Sequence, residues 1–122
     1  MARVTHTAVT APGGYPSLQP SAGSLALNAV AADSTNKEQV LLTGREIIIA
    51  RNSSGSTART VTITSAAAGS NRRTGDITAY SLPLGTTAVF GPFPLDGWRQ
   101  SDGYLYFEAS HADVIFSVIT IP

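Results

Sequence analysis

Cysteine is absent from this chain of 122 residues, and charged residues are scarce. Without cysteine the chain can form no disulfide, no thiolate nucleophile and no cysteine-ligated metal site. Charged residues make up 13% of the sequence, against roughly 25% in an average soluble domain. Eight basic residues balance eight acidic ones, so the formal net charge is zero. Because no basic excess exists, we expect no nucleic-acid partner.

Long apolar runs and reactive motifs are also lacking. No segment approaches the ~18 consecutive apolar residues that span a membrane, and the N-terminus lacks the apolar core of a signal peptide. We therefore expect no membrane partner, and synthesis and folding in a cytoplasm. No nucleophile elbow, HExxH motif or glycine-rich phosphate loop with its lysine occurs. The sequence therefore predicts a protein that is not an enzyme, with no catalytic residues, no metal and no cofactor.

Hydroxyl groups supply much of the polarity that charges usually provide, through 14 threonines and 13 serines. A free monomer with few charges and no net charge is prone to self-association. A chain that works inside an assembly has less need of charge. We therefore expect the protein to associate with itself and with other subunits.

Short alternating segments predict β-strands along most of the chain. The clearest is 59–65, where Val61 and Ile63 face one way while threonines face the other. Further strands are predicted at 37–43, 45–51, 76–82, 86–91, 103–109 and 113–121, separated by Gly, Pro and Asn turns. This spacing favours an all-β fold, a single small jelly-roll-like sandwich. The predicted core contains Ile47, Ile49, Val61, Ile63, Ile77, Val89, Leu105, Phe107, Phe116 and Val118.

The N-terminal residues 1–24 are predicted to form an extended arm that precedes a sandwich domain at 25–122. Residues 10–24 contain three prolines and three glycines and show no periodicity. Such a stretch is either a flexible terminus or an arm that lies along a neighbouring subunit. Tyr15 and Leu18 are its candidate contact residues. The following residues, 25–33, are compatible with a short helix or a strand.

The segment Gly91-Pro92-Phe93-Pro94 is predicted to leave its sheet and cross to the other layer. Two prolines cannot donate hydrogen bonds to a strand ladder. Phe93 and Trp98 would then cap one end of the core.

The last strand is apolar on both faces. Val114, Phe116 and Val118 share one side, and Ile115, Ile119 and Ile121 share the other. The strand is therefore either central and covered on both faces, or covered on one face by another subunit. The second interpretation makes Ile115, Ile119 and Ile121 candidate contact residues.

Two further groups of residues are candidates for chemistry or binding. Glu108, His111 and Asp113 could form a metal site or an acid–base pair, although their position between two strands is typical of a solvated turn. Arg72 and Arg73 occupy a polar loop and are candidates for contact with a partner protein.

Trp98 lies between two Asp-Gly pairs, at Asp96 and Asp102. This arrangement suits a sugar-stacking ring beside acceptor carboxylates, but Asp-Gly is also an ordinary turn pair. A small carbohydrate-binding module is therefore an alternative function.

The order of motifs from Glu46 to Ile121 resembles small β-sandwich structural proteins of tailed bacteriophages. The likeness consists of Arg-Asn-Ser-Ser-Gly, Val-Thr-Ile-Thr-Ser, Gly-Pro-Phe-Pro, Gly-Trp, Asp-Gly-Tyr-Leu-Tyr-Phe and Val-Ile-Phe-Ser-Val-Ile. It implies a virion component that decorates the capsid surface, binds the major capsid protein and forms homo-oligomers, often trimers. Neck and tail proteins have similar folds, so head-to-tail joining is an alternative location. The N-terminal third resembles no family.

Overall fold

The computed structural model describes residues 3–11, 26–66 and 76–121. Within these ranges the chain forms ten β-strands and no helix. The strands are β1 Val4–His6, β2 Val9–Thr10, β3 Val30–Ala31, β4 Glu38–Leu41, β5 Glu46–Asn52, β6 Arg59–Thr64, β7 Ile77–Leu82, β8 Thr87–Phe90, β9 Tyr104–Ala109 and β10 Val114–Thr120.

The strands form two mixed sheets that pack face to face. The first sheet has the order β1-β4-β9-β6-β7. The second has the order β2-β10-β5-β8, and β3 also pairs with β10. Most pairs are antiparallel, but β1 runs parallel to β4 and β2 runs parallel to β10. The prediction of a small all-β sandwich is confirmed.

The core lies between the two sheets and is built from every second residue of each long strand. In β9 and β10 the predicted residues Leu105, Phe107, Phe116 and Val118 are buried. The rings of Phe107 and Phe116 meet edge to face, with centroids 4.8 Å apart. This arrangement is favourable for two aromatic rings. Val61 and Ile63 of β6 are also buried, as predicted.

The predicted core is wrong on one strand, because β5 presents the opposite face. Ile48 and Ala50 are fully buried, whereas Ile47 and Ile49 are half-buried on the outer face of the sheet. Three consecutive isoleucines give no alternation, so the sequence does not indicate which one points inward. Glu46, at the start of the strand, is also buried.

Two other predicted core positions differ. Val89 of β8 is 63% exposed, because its neighbours Ala88 and Phe90 are the residues that pack against the core. Ile77 is only partly buried, at the start of the edge strand β7.

Two strands lie within residues 1–24, which the sequence assigns to an arm. β1 adds to the first sheet beside β4, and β2 adds to the second beside β10. The chain therefore crosses from one sheet to the other between His6 and Val9. The remainder of the proposed arm, from residue 12 onward, lies outside the described residues. In the ambiguous segment 25–33, the described part contains only the strand β3.

The Gly-Pro-Phe-Pro corner crosses between the layers as predicted. It follows β8 of the second sheet and leads towards β9 of the first. Phe93 is buried, and its amide donates to the carbonyl oxygen of Glu46 at 3.3 Å. Its ring meets Trp98 edge to face, with centroids 4.9 Å apart. Gly91 has φ of +109°, a backbone conformation that favours glycine.

Candidate functional site

The outer face of the second sheet is mainly aliphatic, with the exposed Arg51 of β5 in register between Ile115 of β10 and Thr87 of β8. Ile47 of β5 lies opposite Ile119 of β10, and Ile49 lies opposite both Ser117 of β10 and Val89 of β8. Residues directly opposite one another in an antiparallel pair share a face. The four isoleucines of this aliphatic face are half-buried, which leaves part of each side chain accessible. They are Ile47, Ile49, Ile115 and Ile119.

The outer face of the first sheet is polar by contrast. Lys37 and Glu108 form an ion pair at 3.3 Å, and the guanidinium of Arg3 lies 4.1 Å from the centroid of the Tyr106 ring. Threonine side chains of β6, Gln39 of β4 and Tyr104 of β9 lie on the same face, together with Leu41 at the end of β4, which is 56% exposed. Among the described residues the two outer faces therefore differ in chemistry, since four isoleucines cluster on the second sheet and polar side chains predominate on the first.

A cleft of about 250 Å³ opens at one end of the sandwich, between the two sheets. It lies where the chain crosses from β1 to β2. The residues that line it are His6, Thr7, Ala8, Val40, Leu41, Thr43, Glu46 and Thr120.

Glu46 is buried in this cleft and its carboxylate is well supplied with donors. The amide of Thr43 donates to Oε1 at 2.6 Å, and the hydroxyls of Thr43 and Thr120 donate to Oε2, each at 2.8 Å. Burial alone would raise the pKa of Glu46, but these hydrogen bonds outweigh it and hold the pKa below its usual range. Glu46 thus joins β10 to the turn before β5, and we assign it a structural role.

His6 is buried between the sheets without a polar partner. Its side chain is 4% exposed, and neither ring nitrogen has a hydrogen-bond partner within the described part of the chain. The ring centroid lies 5.2 Å from that of Phe107 and 6.0 Å from that of Phe116. Burial lowers the pKa of His6, so the imidazole is neutral near pH 7. His6 therefore acts as part of the aromatic core.

Glu38 is the second buried carboxyl group, and it is only partly satisfied. Oε1 accepts a hydrogen bond from the amide of Asp33, while Oε2 has no partner among the described residues. Burial is the largest influence and raises the pKa to about 7, with help from the negative charges of Asp33 and Glu108. The Asp33 amide and the charge of Arg3 act in the opposite direction. Glu38 can therefore change protonation state near neutral pH.

The residues between β9 and β10 form a turn in which Nδ1 of His111 lies 3.3 Å from Oδ2 of Asp113, but Glu108 does not join them. Arg59 pairs with Asp113 at 2.8 Å, and the amide of Asp113 donates to Nδ1 of His111 at 3.0 Å. Glu108 instead pairs with Lys37 on the polar face. Within the described ranges, no three His, Cys, Asp or Glu side chains are grouped so that they could hold a metal ion.

Trp98 is half-buried and packs against the core beside Phe93. Asp102 accepts hydrogen bonds from the hydroxyl of Tyr106 and from the amide of Tyr104. These interactions lower the pKa of Asp102, chiefly through the Tyr106 hydroxyl. The ring that a carbohydrate site requires is thus engaged in core packing, and one of the two carboxylates serves a turn.

The predicted contact residues divide into two groups. Ile115 and Ile119 lie on the aliphatic face, and Ile121 follows directly after β10, half-buried. The other four, Tyr15, Leu18, Arg72 and Arg73, lie outside the described residues.

Three residues of the aliphatic face were not predicted as contact residues from the sequence. Ile47 and Ile49 belong to the aliphatic face, although the sequence assigns them to the core. Val89 continues this face onto the edge strand β8. The aromatic residue Phe90 indicates which side of β8 points inward, and Ala88 lies on that side while Val89 lies on the other. Three residues are too few for the sequence alone to assign Val89 to the outer face.

No family model, curated protein or solved structure matches this chain. Among the residues that the structure describes, no helix is long and apolar enough to cross a membrane.

Proposed function

We propose that this chain is a non-enzymatic structural subunit that acts within an assembled particle. The specific form suggested by the sequence resemblance is a decoration protein on the outer face of a tailed-phage capsid. Its partners are then the major capsid protein and further copies of itself, and a position in the neck or tail is the alternative.

The observation that carries this proposal is the aliphatic face of the second sheet. A solvated sheet normally alternates between an apolar inner face and a polar outer face. The outer face of the first sheet is predominantly polar apart from Leu41, whereas the second places Ile47, Ile49, Ile115 and Ile119 outside, with Arg51 at their side. Such a face suits a sheet that is covered by another subunit. The low charge content agrees with binding through apolar contacts.

Binding of the full chain to capsid shells tests the proposal. The major capsid protein encoded in the same genome is assembled into shells, which are mixed with this protein and sedimented. We expect the wild-type protein to sediment with the shells, and added salt to weaken binding only slightly because few charges take part. A gene position beside that of the major capsid protein would support the pairing.

Two lysine substitutions localise the binding surface. Ile119→Lys places a charge on the aliphatic face, and Thr62→Lys places the same charge on the polar face of the other sheet. We expect Ile119→Lys to weaken binding about tenfold or more, because it buries a charge at the interface, while Thr62→Lys binds like the wild type. Thermal unfolding of both variants verifies that they fold. Absence of wild-type binding, or equal loss in both variants, would refute the assignment.

A further inference from the structure

Strand β8 forms an open edge of the second sheet. It is the last strand in the order β2-β10-β5-β8, and its only described partner is β5. An edge strand presents unpaired amide and carbonyl groups that can pair with another chain.

The register identifies which groups of β8 are free. The amide of Asn52 donates to the carbonyl oxygen of Thr86 at 3.0 Å, so this pair is hydrogen-bonded. Hydrogen-bonded and non-hydrogen-bonded pairs alternate in an antiparallel ladder. The main-chain groups of Ala88 and Phe90 therefore point towards β5, and those of Thr87 and Val89 point out of the open edge.

β8 lacks several of the sequence features that normally protect an edge strand from pairing with another chain. Residues 87–90 are Thr, Ala, Val and Phe, with no charge, proline or bulge. The adjacent edge of the first sheet, β7, is irregular: Ala79 has a positive φ of 49°, and the pairing with β6 shifts between Val61 and Ile63. Bulges of that kind discourage pairing with other chains. The remaining outer strands, β1, β2 and β3, are only two or three residues long.

Apolar side chains surround the open edge. Val89 is 63% exposed, Leu84 in the turn before β8 is 50% exposed, and Tyr80 on the adjacent edge of the first sheet is 47% exposed. The ring of Tyr80 meets Phe90 edge to face, with centroids 5.3 Å apart, so the two sheet edges lie side by side. A partner on this edge would bury these side chains as well as the main chain.

We propose that β8 pairs with β8 of a second copy of this chain, in antiparallel orientation about a two-fold axis at Ala88. In this register Thr87 of each copy lies opposite Val89 of the other. Each of these residues offers one donor and one acceptor, so all of the free groups between Thr87 and Val89 are used in four hydrogen bonds. This dimer would be the self-association that the proposed function includes. Only the biological role of the dimer rests on the proposed function, since the pairing itself is argued from the edge strand.

The chemistry of the edge selects a second copy as the occupant. The two free residues are complementary to themselves under two-fold symmetry, which is the common symmetry of dimers. No charged side chain lies within β8 to repel an identical strand. The outer-face side chains of Thr87 and Val89 then sit opposite each other and continue the aliphatic face.

Substitutions at Val89 test the pairing through the main chain. Val89→Pro removes the outward amide without breaking a hydrogen bond to β5, whereas Val89→Thr changes the side chain and keeps the amide. We expect sedimentation equilibrium to show a wild-type dimer, a dissociation constant raised about tenfold or more in Val89→Pro, and a smaller change in Val89→Thr. A monomeric wild type, or a dimer that Val89→Pro leaves intact, would overturn the proposal.

Amide hydrogen exchange in the unmodified full chain gives a second, independent readout. The amides of Ala88 and Phe90 should be protected at every protein concentration, because they bond to β5. The amides of Thr87 and Val89 should be protected at high concentration and exchange fast on dilution. Fast exchange of both at concentrations where a dimer is present would exclude pairing through β8 even if Val89→Pro fails to fold. Loss of shell binding alone would refute the decoration role and not this dimer.

Discussion

Replacement of Phe93 by alanine should strongly destabilise the sandwich. The ring is 3% exposed, packs edge to face against Trp98 and sits at the corner where the chain crosses from β8 towards β9. The side chain lies beneath a turn that is anchored by the hydrogen bond from its own amide to Glu46. Because that bond uses the main chain, the substitution removes the ring and leaves the anchor.

The expected magnitude follows from two contributions. Removing the ring takes away about 100 Å² of buried apolar surface, which corresponds to about 2.5 kcal/mol. Loss of the edge-to-face contact with Trp98 adds about 1 kcal/mol. The free energy of unfolding should therefore fall by about 3.5 kcal/mol, within the usual range for Phe→Ala in a core.

Urea denaturation followed by far-ultraviolet circular dichroism measures this change. With a denaturant dependence of about 1.5 kcal/mol per molar urea, the midpoint should fall by about 2 M. Val89→Ala is the matched control, because Val89 is 63% exposed in the isolated chain and should change the unfolding free energy of the monomer by less than about 0.5 kcal/mol. A Phe93→Ala midpoint equal to that of the wild type would show that the ring is exposed, and would refute the packing described for the corner.

The remaining predictions concern a glycine and a buried acid. In Gly91→Ala the new Cβ would lie 2.8 Å from the carbonyl oxygen of Glu46 at a φ of +109°, so we expect a loss of about 2 kcal/mol or more in urea denaturation. Gly85→Ala, with no atom near its Cβ, should cost only about 1 kcal/mol, and equal losses would contradict the steric argument. Burial raises the folded-state pKa of Glu38 to about 7, above its ordinary value of 4.5. Its contribution to stability is therefore fully present below pH 4.5 and is lost as pH rises through about 7. In the wild type this contribution to the free energy of unfolding should decline by up to about 3 kcal/mol between pH 4.5 and 7. Urea denaturation at several pH values should show that decline, and Glu38→Gln should abolish it. His6, whose pKa is lowered by burial, contributes in the opposite direction, but it is present in both proteins and cancels when they are compared. A Glu38→Gln variant with the same pH profile as the wild type would show that Glu38 is solvated.

The long strands could be predicted because their patterns are local. Val61 and Ile63 alternate with threonines, and the strand at 59–64 follows directly from that period. The turn residues between strands gave the boundaries within one or two residues. The aliphatic side of β10 was also visible, since Ile115 and Ile119 are separated by an even number of positions.

The face of β5 and the role of β8 depend on non-local pairing. Ile47, Ile48 and Ile49 are equally apolar, so only the register with β10 and β8 shows which isoleucines point outward. The strands β1, β2 and β3 are too short for a sequence period. Two of them pair in parallel with strands distant in the chain. Tertiary contacts, rather than local propensity, therefore determine these elements.

The aliphatic face and the open edge belong to one sheet, and this has a consequence for assembly. If β8 pairs about a two-fold axis, two four-strand paths join into a continuous eight-strand sheet with both aliphatic faces on the same side. Each dimer then presents two copies of the face to a shell, and binding of one copy raises the effective concentration of the other. Because Val89 itself continues the aliphatic face, Val89→Thr, which alters the same side chain and keeps the amide, is the control for Val89→Pro. Val89→Pro should weaken shell binding more than Val89→Thr does, through loss of the dimer, whereas Ile119→Lys should weaken it while the dimer persists. Shell binding by Val89→Pro at wild-type strength would show that the edge and the face act independently.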